Sequence, residues 1–182
     1  MTKLLLDARK SRVRIRAFAE GLFARLAHDL ELECRGLTGT AEQAGPGVGG
    51  ATIEAPIREF AVAGTLKSGR VDPAGLSHEQ AQDCLEKMRV HVFHVRRGDG
   101  VVRVEATLDG GKGRFRLVFP NGRAVDRLAD VRLESSESEV RATGSFGLSL
   151  QSIGSDPVKG PMNAFRMKDM IEIAFEAVFV PA

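Results

Sequence analysis

A chain of 182 residues, 43% apolar and 27% charged, holds enough material for one core and has the make-up of an ordinary globular domain. Its 26 basic and 24 acidic residues leave a net charge of +2, which gives no reason to expect nucleic acid or a membrane surface as partner, and no stretch approaches the roughly 18–20 apolar residues of a membrane span. With no Trp and no Tyr, ten Phe carry the aromatic packing, and a polar handle in any pocket falls to His, Arg, Asn, Ser or Thr.

The first residues, Met1-Thr2-Lys3-Leu4-Leu5-Leu6-Asp7, hold too short an apolar run for a signal peptide, so the expected location is the cytoplasm. Val13, Ile15 and Ala17 alternate with Arg12, Arg14 and Arg16, which predicts a strand with one apolar and one cationic face. Residues 21–26 break the alternation and predict a helical turn. It resumes with His28, Leu30, Leu32 and Cys34 against Asp29, Glu31, Glu33 and Arg35, and the strand is expected to run on through Gly36 and Gly39 to Thr40 with bends at the glycines. Residues 43–50, glycine-rich around Pro46, read as a flexible turn. Another strand is expected over 51–57, and 60–66 either continues it or forms a loop edge. Ser77-His78-Glu79-Gln80 has the spacing of a capping box and opens a helix whose apolar members are Ala81, Cys84, Leu85 and Met88. Residues 90–95 either extend that helix or begin a strand, and 98–100 form a turn.

Val102, Val104 and Ala106, then Phe115, Leu117 and Phe119, predict a hairpin around Asp109-Gly110-Gly111, followed by a turn at Pro120-Asn121-Gly122. A strand over 125–133 has its alternation disturbed by Leu128 and Ala129. A polar turn at 135–138 leads into the clearest segment of the chain. Val140, Ala142, Gly144, Phe146, Leu148 and Leu150 share one parity, as do Ile171, Ile173, Phe175, Ala177 and Phe179. These read as two strands with one dry face each, joined by an irregular loop containing Gly154, Pro157, Gly160 and Pro161. The sum is a single domain over 1–182 with roughly eight short strands and one helix: a closed barrel or a sandwich, with the hairpin order favouring an up-and-down barrel.

Several segments together resemble the YceI-like family. They are Ser11-Arg12-Val13-Arg14-Ile15, Ala27-His28-Asp29 and Gly36-Leu37-Thr38-Gly39, then Gly75-Leu76-Ser77 before a helix ending in Met88. The closing stretch adds Ser152-Ile153-Gly154, 165–173 and Phe175-Glu176-Ala177-Val178-Phe179. The similarity runs through nearly the whole chain and rests on the order of short motifs. Two segments differ from the family pattern, Val92-Phe93-His94-Val95 and 119–123. The resemblance implies an all-β fold, an extended antiparallel eight-stranded lipocalin-like barrel with one inserted helix. It also implies a hollow interior that binds an isoprenoid or fatty-acyl lipid without covalent chemistry, for storage, transport or sequestration.

On that reading Leu30, Leu32, Phe115, Leu117, Phe119, Phe146, Leu148, Phe165, Ile173 and Phe175 line the ligand, with His28 at the barrel mouth. The alternative is a filled barrel, the same Phe residues forming a solid core, that acts as an interaction module and is open to homodimer formation. His28 itself is either a contact to a ligand's head or a histidine satisfied by a nearby loop. Met162 and Phe165 are placed to gate one end. Arg12, Arg14 and Arg16 offer either a phosphate- or nucleic-acid-binding patch or a solvated strand face, and the second is favoured. His91 and His94 lack the third and fourth partners of a zinc site, and two cysteines make neither a metal site nor a disulfide framework, so no metal and no cofactor are expected. No nucleophile elbow, phosphate loop or dinucleotide fingerprint occurs, and the expectation is a binder and not an enzyme.

Overall fold

The computed structural model describes residues 1–21, 27–96 and 99–182. The helical turn expected over 21–26 lies, beyond Gly21, outside the described residues, as does Gly98 of the turn at 98–100. In chain order, β1 (Thr2–Leu6) and β2 (Arg12–Ala17) lie in line along one edge of the long final strand, β14 (Met170–Pro181). Leu6 opposes Phe179 and Arg12 opposes Glu176, and residues 7–11 leave the sheet between them. Val178 does not lose its partners at that break. The buried Ser11 hydroxyl accepts its N–H at 3.0 Å, and the Asp7 N–H donates to its carbonyl at 2.8 Å.

After the two-residue β3 (Ala19–Glu20), β4 (Leu30–Cys34) and β5 (Thr38–Gly45) repeat the device, β4 beside β2 and β5 beside β1. The expected bend falls at 35–37. Then β6 (Val48–Pro56) and β7 (Phe60–Lys67) again form one interrupted strand, beside β5 and β4 in turn, so 60–66 is a continuation and not a loop edge. Residues 43–50 are correspondingly not a flexible turn. Most of them are paired strand, and Gly49 is there because a Cβ would stand 2.6 Å from the Glu42 carbonyl oxygen on the neighbouring strand.

A short β8 (Arg70–Asp72) returns along β7 and leads to the helix α1 (His78–Lys87). Both capping-box bonds are made: Gln80 N–H to Ser77 Oγ (3.2 Å) and Ser77 N–H to Gln80 Oε1 (2.8 Å). A wider π-type turn, 88–92, extends the helix. Four strands follow antiparallel: β9 (Val101–Asp109), β10 (Lys112–Val118), β11 (Ala124–Ser135) and β12 (Val140–Ser149). The β9–β10 turn places Gly110 and Gly111 at φ of 57° and 83°, the doubly positive turn that Asp-Gly-Gly foretells. The alternation of β11 is intact: Val125, Ala129, Val131 and Leu133 share the inner parity, and Leu128 faces out, 74% exposed. β12 pairs with β14 over ten positions, and the two-residue β13 (Arg166–Met167) pairs with β3.

The main sheet runs β1-β5-β6-β9-β10-β11-β12-β14, and β14 pairs back onto β1. Eight antiparallel strands thus close a barrel, with β2, β4, β7 and β8 prolonging the wall past the ring at one end. Two unlike ends result. One carries only short turns (45–48, 109–112, 135–140) and both chain termini. The other carries the long connections, including α1, which packs against β7, and the loop 150–169.

Candidate functional site

The inner parity of every barrel strand points at a common axis. A solid core would leave these side chains without accessible surface. Instead Val13, Ile15, Leu30, Val104, Phe146 and Phe175 are only half-buried although all face inward. The surface they expose belongs to an internal cavity of about 620 Å³. The filled barrel is therefore overturned. Along β14 the lining runs from Ile171 to Phe179, eight steps of about 3.3 Å, so the cavity wall is roughly 26 Å long.

All eleven residues singled out from the sequence border this cavity. Leu30 and Leu32 come from β4, Phe115 and Leu117 from β10, Phe119 from just beyond it, Phe146 and Leu148 from β12, and Ile173 and Phe175 from β14. Phe115, Phe146 and Phe175 form an aromatic group with centroids 5.3–6.4 Å apart. Their rings fit because glycines give them room: a Cβ at Gly144, opposite on β12, would stand 2.6 Å from the Phe175 ring, and one at Gly113, two residues earlier on β10, the same distance from the Phe115 ring. A second group, Phe60, Phe93 and Phe119, sits nearer the helix with centroids 6.1 and 6.3 Å apart.

Polar groups gather at the rim. At the helix end, Gln80, Asp83, Cys84 and Lys87 line the opening from one face of α1, and His28, Lys159 and Phe165 line it from the other side. His28 and Lys159 are exposed, and Lys87 Nζ holds Asp83 Oδ2 at 2.7 Å. The polar helix face is not marked by the apolar pattern of α1; its signal in the sequence is the three- and four-residue spacing of Gln80, Asp83 and Lys87. The alanines Ala51, Ala106, Ala142 and Ala177 also line the wall, on the same parity as the larger lining residues. Met162 does not gate the opening. Its side chain is 99% exposed and borders no part of the cavity.

Of the remaining candidates Arg12 also borders the cavity, together with its partner Glu176. Arg12 pairs with Glu176 (3.2 Å) and Arg16 with the buried Glu31 (2.8 Å), so two of the three cations on that face are engaged by carboxylates. His91 and His94 do find an acidic neighbour, distant in sequence: Asp156 Oδ2 lies 4.0 and 3.8 Å from their Nδ1 atoms, and His94 Nε2 is 2.8 Å from the Gly154 carbonyl. Among the described residues no group is arranged to hold a metal ion. Cys34 and Cys84 are both free. Cys34 is fully enclosed, and burial pushes its thiol up to about 11.

No family model matches the chain, and no curated protein matches it. Among solved structures it resembles the crystal structure of Burkholderia cenocepacia BcnA, with a TM-score of 0.64 over 95% of this chain and 98% of that one, at 12% identity. At that identity the likeness is one of fold alone. No helix among the described residues is long and apolar enough to cross a membrane.

Proposed function

We propose that this protein binds one long apolar lipid, of isoprenoid type, non-covalently inside its barrel, for storage, transport or sequestration. The observation that carries the reading is the 620 Å³ cavity, walled mostly by apolar side chains along its length, with the Arg12–Glu176 ion pair among the lining and further polar groups at its ends. A cavity of about 150 Å³ admits benzene, so this one has room for roughly four times as many carbons, about two dozen. Burial contributes about 0.8 kcal/mol per CH2. Association costs on the order of 4–15 kcal/mol in lost freedom. A short chain therefore gains too little to stay, and a long one binds without any buried polar contact. The same logic explains why the interior carries hydrocarbon and no hydrogen-bonding array. The reading assigns no reaction to the protein.

Native mass spectrometry of protein purified without detergent, with lipid extraction of the same sample, tests this. A mass increment that extracts as a prenyl lipid is the expected result. A clean apo mass, together with no displacement of a fluorescent probe by isoprenoid quinone analogues, removes the reading.

A further inference from the structure

Near the end of the barrel that carries the short turns, the wall changes character. Ala41 opposes Ala51 and Ala51 opposes Ala106 across three neighbouring strands, and Ala142 opposes Ala177 across two others. All five border the cavity. The ring order puts the two sets on facing walls: β6, with Ala51, is four strands round from β12, with Ala142, and β9, with Ala106, is four round from β14, with Ala177. Each of these four alanines lies two to four residues from the end of its strand. Phe115 stands directly opposite Ala106, and Phe175 and Phe146 follow the Ala142–Ala177 pair towards the helix. Leu4, the register partner of Ala41, and Phe179 are buried and pack with Ala177 at this end. The tube thus has an aromatic middle and, towards the short-turn end, a section whose facing walls carry single methyl groups among larger neighbours such as Leu108, Leu133 and Val140.

We propose that this alanine-walled section receives the far tip of the ligand's tail and sets the longest tail the protein accepts, the polar head lying at the opposite, helix-side rim. The proposal rests on the lipid reading above and deepens it. The short-turn end also has polar lining, Glu42 and Gln43, but the head is placed at the helix side because the cations Lys87 and Lys159 line the cavity there, with Gln80, Asp83 and His28. The tail tip is placed at the other end because the buried Leu4, Ala177 and Phe179 are the groups that meet there. Ala51, Ala106, Ala142 and Ala177 are then specificity-determining residues: each methyl leaves open a length of tube that a larger side chain would close. Enlarging Ala106 or Ala142 directs new carbons towards the cavity both border, whereas Ala51 and Ala177 also pack with Leu4 and Phe179.

The test uses the full chain, the variants Ala106→Leu and Ala142→Leu singly and together, and a series of prenyl alcohols from geraniol through farnesol and geranylgeraniol to longer members. Affinities come from probe displacement, with circular dichroism melts to show that each variant is folded. Ala51→Val supplies a smaller enlargement should a leucine prevent folding. The expected result is that the variants hold the shorter alcohols within about twofold of the parent and lose the longest by tenfold or more, the double variant moving the cut-off furthest. An unchanged length profile in a folded variant overturns the proposal, and so does an equal loss at every length, which is what blocking the entrance would give. A parent protein that takes no member of the series overturns the lipid reading itself, and this inference with it.

Discussion

Ser11 has no exposed surface, and its hydroxyl holds the backbone N–H of Val178 at the point where β14 passes from one partner strand to the next. Ser11→Ala leaves that buried donor without a partner. A loss of about 1–3 kcal/mol is expected, measured as a lower urea midpoint at unchanged slope. Gly144 fills a different need: it clears space for the Phe175 ring. Gly144→Ala is expected to cost about 1–3 kcal/mol through overpacking and, by pushing that ring into the void, to weaken binding of any occupant. Cys34 gives a signature in alkali. Its folded-state value, raised to about 11 by burial, lies above the roughly 8.5 of an unfolded thiol. The thiol's contribution is therefore complete below the unfolded value and is lost as pH rises through the folded one. Roughly 3 kcal/mol should disappear across that window, and Cys34→Ala should flatten that part of the stability–pH curve. The absence of Tyr from the chain keeps the window free of phenol titration.

At the scale of the element, α1 forms one side of the cavity rim, and its start is fixed by two reciprocal bonds between Ser77 and Gln80. Ser77→Ala removes the side-chain acceptor at the helix N-terminus, at a cost of about 0.5–2 kcal/mol. Hydrogen exchange should quicken over residues 78–82 while the barrel strands stay protected, and a bound probe should leave faster because the rim opens more often. That helix was legible in the sequence because a capping box is a local signal. So was the β9–β10 hairpin, whose turn needs two residues with positive φ. Strand β1 was not: Leu4-Leu5-Leu6 has no alternation, because Leu4 is buried in the barrel and Leu5, 47% exposed, is held by backbone pairing on both sides. Residues 43–50 misled for the opposite reason. Their glycines signal freedom in isolation, whereas in the sheet Gly49 is required by a carbonyl at close range. The inner residues of the site could be read from parity alone. Whether they met at the axis could not, since that depends on barrel radius, which is set by strand number and stagger and not by any one segment.

The closure of the whole molecule hangs on its smallest barrel strand. β1 contributes five residues, with three pairs to β14 and four to β5, and these are the bonds that turn an open sheet into a ring. Taking away residues 1–6 leaves the core side chains of the other strands in place. It also exposes the N–H and C=O row of β5 on one side and the last residues of β14 on the other. Two unpaired edges facing each other across a gap are a template for pairing with a second chain. They also open a lateral route for water into the cavity, whose wall includes Leu4. The truncated protein is expected to keep its β signal by circular dichroism, to run as dimers and larger species in size-exclusion chromatography with light scattering, and to lose retention of a bound lipid. A monomer with unimpaired retention would mean that hydrogen bonding around the ring is not what keeps the cavity sealed, and that the interrupted strands β2, β4 and β7 hold the wall by themselves.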